Sequence, residues 1–335
     1  MMLVLGIESS CDETAASVVL DGRTMLSNVI ASQIDIHRKY GGVVPEIASR
    51  KHVEAIIPVI LEALEKAEVS LDKIEGIAVT CGPGLVGSLL VGLSTAKAIA
   101  YALKIPFVGV NHLEGHISSI FLMETPPEPP FVALVVSGGH TNIYVVEQGG
   151  KCTLKGQTKD DAAGEAFDKA AKMLGIGYPG GVVIDRMAKN GDCRKYDFPR
   201  AMRDSNDFSF SGLKTSLLNM LKKRSEPFLP DELNDVVASY QEAIIDVLVE
   251  KTLRVAKQMG VSRVAVCGGV AANSRLRVRS NDDGKKQNID VFIPPPVLCT
   301  DNAGMIAVAG HALLKQGIRS TLDLNAVSRW PAVVS

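Results

Sequence analysis

Two histidines, His112 and His116, lie four residues apart in the stretch NHLEGH. At about 100° per residue, this spacing puts both imidazoles on one face of a helix, where they could bind one metal ion. Zinc proteases place their general-base Glu directly after the first His or directly before the second. Here Glu114 stands midway and faces the far side of the helix. The stretch therefore predicts a metal site or an ordinary amphipathic helix, without the base of a zinc protease.

Asp301 is the candidate for a third metal ligand. It follows an apolar segment and precedes a predicted helix in the stretch PPPVLCTDNAGM (294–305). One interpretation is a helix N-cap, because Asp and Asn accept hydrogen bonds from the amides of the first turn. The other is a carboxylate ligand beside the two histidines. Two His and one carboxylate would leave coordination positions open for a substrate, as a catalytic metal requires.

Glycine-rich turns follow two of the apolar strand-like runs, in SGGHT (137–141) and CGGVAANSRL (267–276). Paired glycines let the backbone approach an anionic ligand closely, although a tight turn needs no ligand. Asn273 opens a predicted helix and could contact a ribose or a base. Asp168 and Asp185 flank the loop GYPGG and would suit ribose hydroxyls, or they are solvated acids on helices.

The composition of the 335-residue chain is that of an ordinary globular protein, with 46% hydrophobic and 22% charged residues. Its formal net charge of −1 means that contacts with a nucleic acid would come from local patches. Six scattered cysteines without a CxxC pair indicate reduced thiols. The start has no signal-peptide pattern, and polar residues interrupt the apolar stretch 85–103. We expect a cytoplasmic enzyme without a membrane span.

Short apolar runs alternate with helical patterns, which predicts an α/β fold. LVLGIESSCDETAASVVL and ALVVSGGHTNIYVV each read as strand, polar turn and strand, an internal echo that suggests two related lobes. The Pro-rich stretch 124–131 predicts the boundary between an N-terminal lobe, 1–125, and a C-terminal lobe, 126–305. The segment 280–288 is predicted to be an exposed loop. The predicted helices are 47–67, 85–103, 112–122, 162–174, 234–259 and 302–316.

Ten stretches in this order span nearly the whole chain and resemble the universal family of tRNA N6-threonylcarbamoyladenosine synthases. The resemblance is closest to the bacterial TsaD branch, and the ending LNAVSRWP (324–331) is similar to that branch too. The stretches are ESSCDETA (8–15), GGVVPEIASRKH (41–52), GPGLVGSL (82–89), NHLEGH (111–116), VSGGHT (136–141), GEAFDKAAK (164–172), GYPGG (177–181), DFSFSGLKTS (207–216), GGVAANSRL (268–276) and CTDNAGM (299–305).

The resemblance implies a fold of the actin, Hsp70 and sugar-kinase type, with two duplicated α/β lobes around a central nucleotide-binding cleft. We expect the segment from about 306 to 331 to pack back on the N-terminal lobe. The implied reaction transfers a threonylcarbamoyl group from threonylcarbamoyl-AMP to N6 of adenosine 37, in tRNAs that read ANN codons, and releases AMP.

The resemblance also implies the site residues. His112, His116 and Asp301 would hold one divalent metal per subunit, iron in the first place and zinc or magnesium as alternatives. An adenine nucleotide would occupy the cleft. The implied substrate-binding residues are Val135, Val136, Ser137, Gly138, Gly139, Asp168, Gly181, Asp185 and Asn273.

Three further features do not follow from the resemblance. Asp12 or Glu13, in the turn of the first hairpin, could accept the proton of the adenine amine during transfer. Gly304 stands where the family more often has Ala, which would loosen the start of the following helix. The segment 277–287 is not typical of the family.

The partners implied by the resemblance are tRNA, a TsaB-like paralogue and a TsaE-like ATPase, or a second copy of the chain when the paralogue is missing. Three other functions stay open. One is a metallopeptidase, since members of the family were once described as sialoglycoprotein endopeptidases. The second is an ATP-dependent kinase of the same superfamily, although kinases usually hold Mg²⁺ through carboxylates and phosphates. The third is a non-enzymatic scaffold.

Overall fold

The strands and helices are taken from a computed structural model, which describes residues 1–330. The strands are β1 (Leu3–Glu8), β2 (Glu13–Leu20), β3 (Thr24–Met25), β4 (Val29–Ser32), β5 (Gly76–Gly82), β6 (Phe107–Asn111), β7 (Phe131–Val136), β8 (Thr141–Val146), β9 (Cys152–Gln157), β10 (Arg263–Cys267) and β11 (Asp290–Phe292). The α-helices are α1 (Ile34–Arg38), α2 (Pro45–Lys66), α3 (Val86–Leu103), α4 (His112–Ser118), α5 (Ala163–Leu174), α6 (Gly180–Ala188), α7 (Ser211–Lys222), α8 (Pro230–Gln258), α9 (Ser274–Lys286), α10 (Pro296–Cys299) and α11 (Ala303–Lys315). Short 3₁₀ turns occupy Leu71–Lys73, Ser119–Leu122, Gln148–Gly150 and Gly269–Ala272.

The chain divides into two compact units. The first contains Met1–Pro126 and the described chain from Asp301 to Trp330, and the second contains Pro127–Thr300. Residues 301–305, which the sequence analysis assigned to the second lobe, belong to the first unit because α11 packs on the first sheet. The last residue of the segment expected to pack back, Pro331, lies outside the described residues.

The first unit has a sheet in the order β3-β2-β1-β5-β6, with β4 paired to β2. β1 and β2 form an antiparallel hairpin, whereas β1, β5 and β6 are parallel. Because side chains alternate along a strand, Leu5 and Ile7 of β1 pack with α2 and α3 on one face. Val4 packs with Met305 of α11 on the other face.

Small residues let α11 lie unusually close to this sheet. A Cβ atom on Gly6 of β1 would overlap the carbonyl oxygen of Ala303 and the side chain of Ala307. A Cβ atom on Gly310 would overlap the side chain of Ala78 on β5. The helix that begins just after Asp301 therefore has a tightly determined distance from β1 and β5.

Helix α3 corresponds to the apolar stretch 85–103, for which the sequence predicts no membrane span. Among residues 1–330 it is the one helix long and apolar enough to cross a membrane by length and composition. In the structure it buries Leu93, Ala96 and Ala100 in the core that it forms with the sheet and α2. Its Lys97 ammonium donates a hydrogen bond to the carbonyl oxygen of Leu324.

The second unit has a sheet in the order β11-β10-β7-β8-β9. As in the first unit, a hairpin (β7 and β8) is antiparallel and its first strand pairs in parallel with a later strand, β10. The long helix α8 supplies much of the core through fully buried residues such as Tyr240, Ile244 and Leu248. The internal repeat predicted from the two hairpins is thus present in the topology of the two sheets.

The predicted exposed loop 280–288 is wrong, because most of it is the second half of α9. Ser280 and Gly284 face inward, and a Cβ atom on Gly284 would overlap the Val291 side chain. Partly buried Arg279 forms an ion pair with Asp283 one turn later, at 3.2 Å, and another with Asp246 of α8, at 3.0 Å. The charged residues of this helix therefore lie partly in solvent and partly against α8, while the helix packs on β11 through a small residue.

We predict that Gly310→Ala destabilises the first unit by about 1–3 kcal/mol, because the added methyl group overpacks the contact between α11 and β5. Urea unfolding followed by circular dichroism measures the change. The matched control is Gly212→Ala on α7, where a Cβ atom would meet nothing within 4 Å. Equal stability of the two variants would contradict close packing as the constraint on α11.

Candidate metal centre and substrate-binding residues

His112 and His116 lie on α4, directly after the buried strand β6. The Asn111 side chain caps this helix by accepting a hydrogen bond from the Leu113 amide at 2.8 Å. Both histidines are buried, and their rings meet edge to face with centroids 4.7 Å apart. Glu114 lies on the exposed side of α4. The structure therefore brings the two imidazoles together, as the spacing predicts, and keeps Glu114 away from them.

Asp301 lies beside the two histidines. Its Oδ1 is 3.2 Å from His116 Nε2 and 3.6 Å from His112 Nε2. The alternative interpretation of Asp301 as a helix cap is wrong, because Asn302 caps α11 by accepting a hydrogen bond from the Met305 amide. Gly304 fits this helix start tightly, since a Cβ atom there would lie 2.9 Å from the Met25 sulfur.

The chemistry of these three side chains fits a metal ion. One ligand atom from each lies within 4.8 Å of the others. Both ring nitrogens of His116 are buried, and neither makes a hydrogen bond with the described residues. Leaving such polar atoms unsatisfied is costly, and a metal bound to Nε2 would remove part of that cost. The group can therefore hold a metal ion with two imidazoles and one carboxylate.

Glu8, the last residue of β1, lies behind His112 and was missed by the sequence analysis. Its buried carboxylate accepts hydrogen bonds from the Ser10 amide, the Thr80 hydroxyl and His112 Nδ1, at 2.5, 2.6 and 3.0 Å. Burial alone would raise the pKa of Glu8, but the charge and hydrogen bond of His112 outweigh it and lower that pKa. The one signal in the sequence was an acid that ends an apolar strand.

The carboxylates of Asp301 and Glu8 also change the pKa of His112. Burial lowers the pKa of its imidazole, but the charges of Asp301 and Glu8 outweigh burial and raise that pKa to about 9. In the metal-free protein His112 is therefore a cation at neutral pH. A divalent metal ion at Nε2 would displace the proton there, and its two charges would be balanced by the carboxylates of Glu8 and Asp301.

The turn of the first hairpin places Asp12 and Glu13 in the same unit as the histidines. Burial, and then the charges of Asp12 and Asp301, raise the pKa of Glu13 to about 9. In the metal-free protein Glu13 is therefore protonated at neutral pH and can donate a hydrogen bond. His52 holds the turn in place, because its Nε2 donates to the Cys11 carbonyl and its Nδ1 accepts from Thr14.

The second unit contains the predicted substrate-binding residues of strand β7 and its turn. Val135 and Val136 end β7 and are fully buried, so they contribute backbone rather than side chains. The α5 amides of Gly164 and Glu165 donate to the carbonyls of Ser137 and Gly138 at 3.3 and 3.1 Å. A Cβ atom on Gly138 or Gly139 would meet nothing within 4 Å. The turn is therefore anchored on one side and open on the other.

The second Gly-rich turn lies against the first. Gly268 follows β10 with a φ of 94°, a conformation that favours glycine, and a Cβ atom there would overlap the Val136 carbonyl. Asn273 accepts the Leu276 amide as the cap of α9 and donates to Gln241 at 2.8 Å. The structure thus brings the ends of β7 and β10 together at one edge of the sheet.

Asp168 and Asp185 hold the starts of two helices. Asp168 accepts a hydrogen bond from the Gly180 amide, next to Gly181, at 2.7 Å. Asp185 accepts from both the amide and the hydroxyl of Ser274, at 3.2 and 2.8 Å. Asp185 and Asn273 are therefore neighbours across the start of α9, whereas Asp168 holds the GYPGG loop.

Comparison with known proteins identifies the family of this chain. A family model described as TsaD, tRNA N6-adenosine threonylcarbamoyltransferase, matches residues 24–308. A relative of that name from Syntrophus aciditrophicus (strain SB) is 68% identical over 334 residues, covering 100% of this chain and 99% of the relative. The chain belongs to this family. A second such relative, from Syntrophotalea carbinolica, is 56% identical and covers 98% of this chain and 97% of its own.

Solved structures of low sequence identity share the fold. Component A of the (R)-2-hydroxyglutaryl-CoA dehydratase from Acidaminococcus fermentans has a TM-score of 0.54 and 15% identity, covering 93% of this chain and 98% of its own. HypF from T. kodakarensis has a TM-score of 0.62 and 12% identity, covering 94% of this chain and 48% of its own. These similarities confirm the predicted α/β fold class, as the two sheets do.

We predict that Glu13→Gln stabilises the metal-free protein increasingly as the pH rises from about 4.5 towards 9. The unfolded chain loses the Glu13 proton near pH 4.5, whereas the folded chain keeps it until the pKa of about 9. Wild-type stability therefore falls across this window, and neutral Gln removes that loss. Thermal unfolding at several pH values measures it, with Glu124→Gln as an exposed control. A difference independent of pH would contradict the raised pKa.

Proposed function

We propose that the chain transfers the threonylcarbamoyl group from threonylcarbamoyl-AMP to N6 of adenosine 37, in tRNAs that read ANN codons, and releases AMP. The observation that carries the proposal is the 68% identity with a tRNA N6-adenosine threonylcarbamoyltransferase over essentially the whole chain. The group of His112, His116 and Asp301 supports it, because a transferase of this kind needs an electrophile held and polarised.

The chemistry explains the types of residue. An exocyclic adenine amine is a weak nucleophile, whereas a mixed anhydride with AMP has a good leaving group. We propose that His112, His116 and Asp301 hold one divalent metal, with iron favoured and zinc or magnesium as alternatives. Imidazole ligands suit iron and zinc better than magnesium. When bound, the metal would polarise the reacting carbonyl and neutralise charge on the leaving phosphate.

Residues of the chain would accept the amine proton and bind the adenylate. Asp12 is the better candidate to accept the amine proton, because neighbouring Glu13 is protonated at neutral pH in the metal-free protein and has a side-chain hydrogen bond with Asp12. We propose that the open side of the turn at Ser137, Gly138 and Gly139 receives the adenylate phosphate through backbone amides. Val135, Val136, Asp168, Gly181, Asp185 and Asn273 would complete the adenine-nucleotide site.

The partners are part of the proposal. Helix α2 exposes Val53, Ile57 and Leu61, which are four residues apart and so form one apolar stripe. Leu90 of the neighbouring α3 is also exposed, at 41%. Such a patch is typical of a protein-binding surface. We propose that it binds a TsaB-like paralogue in the cytoplasm, or a second copy of the chain when the paralogue is missing, and that a TsaE-like ATPase joins the complex.

We predict that a reconstituted mixture of the protein, its partners, threonylcarbamoyl-AMP and an ANN-reading tRNA yields the modified nucleoside, detected by mass spectrometry. The double variant His112→Ala/His116→Ala and the variant Asp301→Ala should give only background product. Asp12→Asn should slow transfer by about a hundredfold or more while adenylate binding persists. The exposed Asp72→Asn is the control.

Wild-type protein that makes no product with competent partners would contradict the proposed reaction. Product at the wild-type rate from the histidine and Asp301 variants would keep the transferase and remove the metal from its mechanism. An unchanged rate for Asp12→Asn would exclude Asp12 as the base.

For the partner surface, we predict that Ile57→Glu/Leu61→Glu abolishes association with the paralogue while the isolated chain stays folded. Two charges placed in an apolar contact would lose most of their hydration. Analytical ultracentrifugation measures association. Val278→Glu, on an exposed apolar position of α9 in the second unit, is the matched control. Full association of the double variant would place the partner elsewhere.

A further inference from the structure

Glu8 has no role in the reaction as proposed so far, although it touches the first metal ligand. We propose that Glu8 is a positioning residue whose carboxylate holds the His112 ring so that Nε2, rather than Nδ1, faces the metal. The inference rests on the proposed metal site and deepens it, since it explains what determines the direction of a ligand atom.

The carboxylate of Glu8 is itself held from three sides. The Ser10 amide donates to Oε1, while the Thr80 hydroxyl and His112 Nδ1 both donate to Oε2. Thr80 belongs to β5, the strand that pairs in parallel with β1. Glu8 is 0% exposed, so water does not compete for these bonds. Apart from His112 itself, its position therefore follows from one backbone amide next to β1 and from the buried Thr80 side chain on β5.

This arrangement leaves His112 one nitrogen for a metal. With Nδ1–H donated to Glu8, only Nε2 is a ligand atom, and it lies 3.6 Å from Asp301 Oδ1. Histidine ligands commonly donate their second ring N–H to a carboxylate, which fixes the ring and raises its basicity. Glu8 supplies that bond here.

His116 has no such support among the described residues, because neither of its buried ring nitrogens makes a hydrogen bond. Its ring meets the His112 ring edge to face, at 75° between planes. Turning the His112 ring would therefore displace its neighbour as well. We expect Glu8 to determine the direction of one imidazole directly and to restrict the other through packing.

The substitution Glu8→Gln distinguishes this role from simple filling of space. An amide has one oxygen, whereas the three donors need two acceptor atoms. With its oxygen towards Ser10, the introduced amide would turn N–H groups towards Thr80 and His112, which favours a proton on His112 Nε2. With its oxygen towards Thr80 and His112, it would meet the Ser10 amide with another donor. No orientation of the amide satisfies all three donors.

The test uses the full-length chain, freed of metal with a chelator and titrated with Zn²⁺ against a chelating dye. Co²⁺ titration adds a spectroscopic readout, because its visible absorption reports coordination geometry. The variants are Glu8→Gln and Glu8→Asp, which keeps the charge but shortens the reach. Glu75→Gln is the matched control, since the Glu75 carboxylate accepts the Leu3 amide at the other end of β1.

We expect both Glu8 variants to bind Zn²⁺ about 10- to 100-fold more weakly than wild type, with an altered Co²⁺ spectrum. Glu75→Gln should match wild type in both. Wild-type affinity and spectrum in Glu8→Gln would overturn the inference. Full affinity in Glu8→Asp alone would also overturn it, because charge rather than position would then matter.

Two further outcomes are decided by the same titrations. If circular dichroism shows that neither Glu8 variant folds, Thr80→Val removes one anchor of Oε2 and should weaken Zn²⁺ binding several-fold, whereas wild-type affinity would overturn the inference. If wild-type protein binds neither Zn²⁺ nor Co²⁺, the proposed metal site fails and the role of Glu8 with it. Loss of metal binding confined to the Glu8 variants keeps the two proposals distinguishable.

Discussion

Close packing of α11 on the first sheet is the constraint on which the candidate metal centre depends. Asp301 lies just before this helix, so its distance from the histidines follows from where α11 rests on β1 and β5. Gly6 and Gly310 permit that approach, because any Cβ atom there would overlap a neighbour. Helix α4 meets the same helix through Gly115, where a Cβ atom would overlap Ile306. Packing among small residues thus brings together candidate ligands that are far apart in sequence.

The electrostatics of the centre are organised for a cation. Glu8 and Asp301 present two carboxylates to the His112 ring, and they raise its pKa to about 9 despite burial. Buried charges are stable only when they are paired and hydrogen-bonded, as these are. A divalent metal ion that displaces the Nε2 proton of His112 would bring one net positive charge, which the carboxylates of Glu8 and Asp301 would balance. Metal binding and proton release are therefore coupled at this site.

Much of this arrangement could be predicted, but only where the cause is local or the resemblance supplies it. The spacing of His112 and His116 determines their shared face, since helical periodicity is a local property. The proximity of Asp301 came from the resemblance, because nothing in its own neighbourhood distinguishes a ligand from a cap. The choice of Asn302 as the cap depends on tertiary packing, which orients two adjacent polar residues differently.

Two errors have physical explanations. Glu8 was missed because an acid at the end of an apolar strand looks like the strand's termination, while its partners Thr80 and His112 are about 70 and 100 residues away. The segment 280–288 was predicted as a loop because charged residues dominate it. Its inward face consists of small residues, Ser280 and Gly284, which carry no hydrophobic signal. Burial through small or polar atoms is invisible to a hydrophobic pattern.

The central claim, that one metal ion is held by two histidines and one aspartate, is tested most directly by anomalous diffraction. Crystals of the chain with its native metal would be measured above and below the absorption edges of iron and zinc. The account predicts one anomalous peak within bonding distance of His112 Nε2, His116 Nε2 and an Asp301 carboxylate oxygen, and the edge identifies the metal. A fully loaded protein whose peak lies elsewhere, or with either histidine turned away from it, would contradict the account.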